Sequence, residues 1–188
     1  SLCFVQSSQL SKEFQLISLP NVNFPFSTIS VHHETVAGFM ADVYYRVTGQ
    51  PTVTFTSCGP GSANLPICLA NSFFDSIPFL AVTGNVPTAQ FNRGAFQEVY
   101  RHYQADFPST VRAYCKRVFQ PTRGDQVPLA MRQAWKTMVT GRPGPVVLDV
   151  PFDIFKEAVG EETPKPEEWN NNISMIRYQA LSPCIHAK

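Results

Sequence analysis

Between residues 34 and 151 the spacing of apolar positions switches repeatedly between a helical and a strand-like period. From Glu34 to Val47, residues Ala37, Met40, Ala41 and Tyr44 recur at helical spacing, and Gly49 with Pro51 closes the segment. The run TVTFTS, 52–57, is β-branched and aromatic and predicts a strand leading into Gly59-Pro60-Gly61. A helix over 63–74 follows, and then IPFLAVTG, 77–84, whose nearly continuous apolar character predicts a strand covered on both faces. Residues 85–108 show weak periodicity and predict a long loop with a short helix. VRAYCKRVF, 111–119, is a further candidate strand. DQVPLAMRQAWKTMVTG predicts a helix with Asp125 as N-cap, Leu129, Met131, Ala134, Trp135 and Met138 mostly inward, and Gly141 past its end. GPVVLDVP, 144–151, predicts a last core strand. Alternating elements of this kind define an α/β fold with three layers, a mostly parallel sheet and helices on both faces.

The chain divides into one domain, 1–158, and a linker or tail, 159–188. The tail begins acidic, polar and proline-containing and is expected to be poorly ordered. Within the domain, residues 1–28 are atypical, and the opening SLCFVQSSQLSKEF starts abruptly, as an N-terminally incomplete domain would. At 188 residues the chain is long enough to bury a core unaided, and 44% hydrophobic against 15% charged residues fits a packed globule. Lys plus Arg is 15 against 14 for Asp plus Glu, a net charge of +1 that offers no electrostatic case for nucleic acid or an anionic membrane. No apolar run approaches the ~20 residues of a membrane helix, and no signal peptide is evident. Five scattered cysteines without a C-x-x-C pair predict reduced, mostly buried thiols in a soluble, cytoplasmic protein.

Taken singly, the chemical features are modest. Glu34 at a helix start is favoured by the helix dipole, and His32 and His33 are ordinary strand-end residues with no metal-ligand spacing. Gly-Pro-Gly between a strand and a helix can approach a ligand closely or can simply turn the chain. The dinucleotide fingerprint, the P-loop and the serine-hydrolase elbow are all missing from the sequence.

Their order says more. HE, 33–34, Ala37, Ala41 and Arg46-x-Thr-Gly precede a strand and Ser-x-Gly-Pro-Gly-Ser-Ala-Asn. FFDSIPFLAVTGNVPT, GAFQEV and GRPGPVVLDVPFD follow. Over residues 29–155 this series resembles the pyrimidine-binding domain of thiamine-diphosphate enzymes, most of all the acetolactate (acetohydroxyacid) synthase large subunit. The resemblance implies that Glu34 hydrogen-bonds N1′ of the aminopyrimidine, so that the 4′-nitrogen can take the C2 proton of the thiazolium ahead of 2-oxo acid decarboxylation and carboligation. It implies cofactor contacts from Gly59, Pro60, Gly61, Asn64 and Gln97, a substrate-side role for Phe96, and an FAD contact at Ser76 in members that carry FAD. Asn64 is expected to cap the following helix or hold the turn.

The sequence also departs from the family. FVQSSQL stands where members carry Gly-x-Pro-Gly, and Thr110 or Val111 stands where the acetolactate synthase group has a lysine. The Gly-Asp-Gly…Asn motif that holds the diphosphate and Mg2+ is missing, RGDQ at 123–126 being its nearest match, so no metal ligands are assigned. The resemblance therefore implies an active site shared with a diphosphate-binding domain of the same or another subunit, a homo-oligomer, and an isolated chain without activity. A separate subunit of a split decarboxylase and a non-catalytic interaction remnant are the alternatives.

Overall fold

The computed structural model describes residues 2–6, 27–91 and 106–157. Strands β1 (Leu2–Gln6), β2 (Ser27–Val31), β3 (Val53–Thr56), β4 (Leu80–Asn85), β5 (Val118–Phe119) and β6 (Val146–Pro151) form one sheet in the order β2-β1-β3-β4-β6-β5. Every pairing is parallel. The helices are α1 (Glu34–Thr48), α2 (Pro60–Ala63), α3 (Pro66–Phe74), α4 (Phe107–Val111), α5 (Val127–Val139) and α6 (Phe152–Lys156).

Alternation along the strands sorts the side chains into two cores. Phe79, Ala81 and Val147 face α1 and α3 with Ala37, Ala41, Leu65, Cys68 and Leu69. Leu80, Val82, Val146, Leu148 and Val150 face α5 with Ala134 and Met138. Phe79 is fully buried, which contributes roughly 1.5–3 kcal/mol. β6 is buried along its whole length, as a strand covered on both faces requires. The expected three-layer α/β architecture is therefore present, with the sheet wholly parallel among the described residues. Close packing of α1 on α3 depends on Gly38, where a Cβ would lie 2.1 Å from Cys68 Sγ.

Several local expectations change. Leu2–Gln6, within the atypical opening, forms β1 and lies between β2 and β3. The helix expected over 63–74 is broken into α2 and α3, because Pro66 has no N–H to continue a helix but suits a first turn. Only Val118–Phe119 of VRAYCKRVF is strand; Val111 ends α4 and Arg112–Tyr114 is a 3-10 turn. Asp125 does not cap α5. It pairs with Arg123 in a 3-10 turn, Gly124–Gln126, and the helix starts at Val127. Leu129 is exposed rather than inward. Burial pushes the Cys68 thiol up to about 12 and the Cys115 thiol up to about 11, so both stay protonated and inert at neutral pH. Cys58 is a half-buried thiol outside any disulfide. Among the described residues no helix is long and apolar enough to cross a membrane. Residues 159–188 lie outside the described residues.

Candidate functional site

The sheet order reverses direction at β1, with β2 on one side and β3 on the other. In open α/β sheets, ligands settle beyond the carboxyl ends of the strands at such a reversal. Two connections meet there, β2 to α1 and β3 to α2.

The first connection delivers Glu34. His33 is the N-cap of α1, its Nδ1 accepting from Thr35 N at 3.2 Å, so that the imidazole carries its proton on Nε2. This cap starts the helix at Glu34, whose side chain turns inward and is 3% exposed. Oε2 accepts from Asn64 Nδ2 at 3.0 Å. Thr35 Oγ1 donates to Asn64 O at 2.6 Å, so consecutive residues of α1 grip both ends of Asn64. Among the described residues nothing donates to Glu34 Oε1.

The second connection supplies the wall that Oε1 faces. Gly59 has φ 65° and ψ −121°, a conformation that side chains avoid and glycine accepts. Pro60 begins α2 and is exposed, while Gly61 is buried against the glutamate. A Cβ on Gly61 would lie 2.9 Å from Glu34 Oε1 and 2.4 Å from Ser57 Oγ, so only glycine fits between them. Ser62 is buried and its Oγ donates to Gly59 O at 3.0 Å, closing the turn.

Glu34, Gly59, Pro60, Gly61 and Asn64 are thus brought together. Of the two expectations for Asn64, capping of α3 is not met, because Leu65 takes that N-cap position; Asn64 ends the turn as the C-cap of α2, its N–H donating to Gly61 O, and its side-chain amide holds the carboxylate. Phe96 and Gln97 lie outside the described residues. Ser76 is not brought to this site. It precedes β4, at the amino edge of the parallel sheet, with φ 62° and with its Oγ accepting from Arg142 Nε at 2.7 Å. Thr35 and Ser57 are neighbours of the carboxylate that sequence reasoning passed over, and only their closeness to the HE and GPG motifs marks them.

A near-buried carboxylate with one oxygen fixed and the other unmatched, facing a glycine wall, suits a nitrogen heterocycle that presents an N–H. Such a carboxylate holds a proton against a ring nitrogen more strongly in low-dielectric surroundings than in water. That chemistry fits an aminopyrimidine.

Residues 10–105 match the family described as thiamine pyrophosphate enzyme, N-terminal TPP binding domain, and the chain belongs to this family. Among curated relatives, the mitochondrial acetolactate synthase catalytic subunit of Saccharomyces cerevisiae is 36% identical over 79% of this chain and 21% of its own length. The acetolactate synthase large subunit of Buchnera aphidicola from Acyrthosiphon pisum is 33% identical over 80% of this chain and 24% of its own. The isozyme 3 large subunit of Escherichia coli is likewise 33% identical, over the same shares. The chain therefore spans about a fifth to a quarter of the length of these relatives.

Proposed function

We propose that the chain supplies the aminopyrimidine-binding half of an acetolactate-synthase-like active site that decarboxylates and carboligates 2-oxo acids. The observation that carries this reading is the asymmetry of Glu34, held at Oε2 by Asn64 with Oε1 turned to Gly61. When bound, thiamine diphosphate supplies the electron sink for decarboxylation. Glu34 would hold a proton between Oε1 and the N1′ position, Asn64 and Thr35 would keep the carboxylate oriented, and Gly59 and Gly61 would let the backbone lie close to the ring. Gln97 and Phe96 would act from the segment that follows β4.

The diphosphate and its Mg2+ would be held by a further domain, of the same or another subunit. A second subunit would also cover exposed apolar side chains on two helices packed side by side. Val36, Phe39, Val43 and Val47 recur at helical spacing on α1, and Ile67 and Phe74 stand two turns apart on α3. Such a stripe supports a homo-oligomer.

The test is turnover of 2-oxo acids by the chain joined to, or mixed with, a diphosphate-binding domain, in the presence of thiamine diphosphate and Mg2+. Glu34→Gln is expected to lower the rate by about 10²–10⁴. Turnover that survives Glu34→Gln unchanged would remove the proposed role of the glutamate. No turnover in any such assembly would favour a non-catalytic domain.

A further inference from the structure

The cradle around Glu34 contains a hydroxyl with no assigned role. Ser57 follows directly on β3, is half-buried, and its Oγ has no hydrogen-bond partner among the described residues. It approaches the same point of the Gly61 backbone as Glu34 Oε1: the position of a Cβ on residue 61 is 2.4 Å from Ser57 Oγ and 2.9 Å from Oε1. Two oxygens thus converge where only glycine leaves room. One is a carboxylate oxygen that can only accept when ionised, and the other is a hydroxyl that can donate. Asn64 Nδ2 lies on the other oxygen of the same carboxylate.

A carboxylate fixed through one oxygen keeps much of its freedom about the last side-chain bond, because the well of an sp³–sp² torsion is broad. A donor on the second oxygen removes that freedom, and a hydrogen bond to an ionised acceptor is roughly twice as strong as a neutral one. An ionised carboxylate oxygen can accept two hydrogen bonds, so a donor at Oε1 leaves that atom able to meet a ring N–H as well.

We infer that Ser57 is a positioning residue for Glu34: its hydroxyl donates to Oε1 through one bridging water, and with Asn64 sets the plane of the carboxylate. The importance of this arrangement rests on the reading of Glu34 as the partner of the cofactor ring, but its geometry does not. Three features converge on it, namely the hydroxyl and the carboxylate oxygen left unmatched among the described residues, and the glycine whose missing side chain lets them approach.

The experiment is infrared spectroscopy of the cofactor-free chain with ¹³C-labelled glutamate, the Glu34 carboxylate band being assigned by difference from Glu34→Gln. Ser57→Ala is expected to move the antisymmetric stretch of that band to higher wavenumber, as a carboxylate that has lost a donor does. Ser57→Thr, which keeps the hydroxyl, should leave it in place, and Ser57→Cys, a near-isosteric weak donor, should give a shift between the two. An unmoved band in both Ser57→Ala and Ser57→Cys would overturn the inference. Far-UV circular dichroism confirms that each variant is folded, and Ser57→Cys carries the test if Ser57→Ala is not. In the assembled enzyme, Ser57→Ala should lower kcat about tenfold while KM for the 2-oxo acid stays within twofold, and Ser57→Thr should restore kcat. A shifted band with no thiamine-dependent turnover in any assembly would uphold the positioning role and count against the proposed function instead.

Discussion

Glu34 and Asp42 sit on the same helix, about two turns apart, and both are almost wholly buried. Their surroundings differ in one respect. Asp42 spends both oxygens on protein: Oδ1 accepts from Arg46 Nε at 2.5 Å, and Oδ2 accepts from Ser72 Oγ at 2.6 Å and Asn71 Nδ2 at 3.2 Å. Arg46 continues to Asp75, so the cluster laces α1 to the end of α3, and these carboxylates hold the guanidinium pKa above its ordinary value. Glu34 is tied across a comparable gap in the chain, but among the described residues through one oxygen only. Burial of a carboxylate does not separate a structural role from a chemical one; the number of oxygens left unmatched does.

The largest contrast is expected in stability. Asp42→Ala leaves Ser72 without its buried acceptor and should cost about 2–4 kcal/mol in urea unfolding, whereas Glu34→Gln should change stability by less than about 1 kcal/mol. Equal losses from both substitutions would erase the distinction.

Asp149 sharpens it with a third carboxylate. On β6 it is fully buried and accepts from Thr83 Oγ1 at 2.7 Å, Asn85 Nδ2 at 2.7 Å and Gln120 Nε2 at 2.8 Å. Asp149→Ala should cost about 2–3 kcal/mol through the three lost partners. Asp149→Asn can keep all three, its oxygen facing the two amides and its amide donating to the threonine hydroxyl. It should fall within about 1 kcal/mol of the parent chain. Burial raises the folded-state pKa of Asp149 above its unfolded value, despite the three donors. The sign follows: this group's stabilising contribution is complete below the unfolded pKa and is lost as pH rises through the folded pKa. Unfolding free energies measured from neutral pH down to about pH 4 should therefore show Asp149→Asn losing ground to the parent as pH falls. A pH-independent difference would mean that burial does not disfavour the charge.

Gly61→Ala is expected to disturb folding less than Asp42→Ala or Asp149→Ala. Gly61→Ala must displace Ser57 Oγ and Glu34 Oε1, both ends of side chains that can give, so unfolding should shift by about 1–2 kcal/mol. Its larger consequence should be weaker thiamine diphosphate binding in the assembled enzyme, read by calorimetry. Unchanged affinity would show that the glycine wall is not part of the site.

Much of this was legible from the chain alone. Continuous apolar runs marked β4 and β6, and helical spacing marked α1, because burial on two faces and on one face leave different periods in a sequence. The order of HE and GPGSAN located the site. What stayed hidden were contacts that depend on folding. Asn64 lies 30 residues from Glu34, and no local pattern says that its amide will reach a carboxylate rather than cap a helix. Asp125 had the right chemistry for an N-cap, but its own neighbour Arg123 offered a closer partner. β1 escaped detection because LCFVQ is a short apolar run beside a polar stretch and becomes a strand only between two others.

The most direct measurement is the rate at which the C2 proton of bound thiamine diphosphate exchanges with deuterium, followed by quenched NMR in the chain assembled with a diphosphate-binding domain. Glu34→Gln should slow this exchange at least about 100-fold while cofactor affinity changes less than about tenfold. Equal exchange rates in the two proteins would show that the unmatched oxygen of Glu34 does not serve the cofactor.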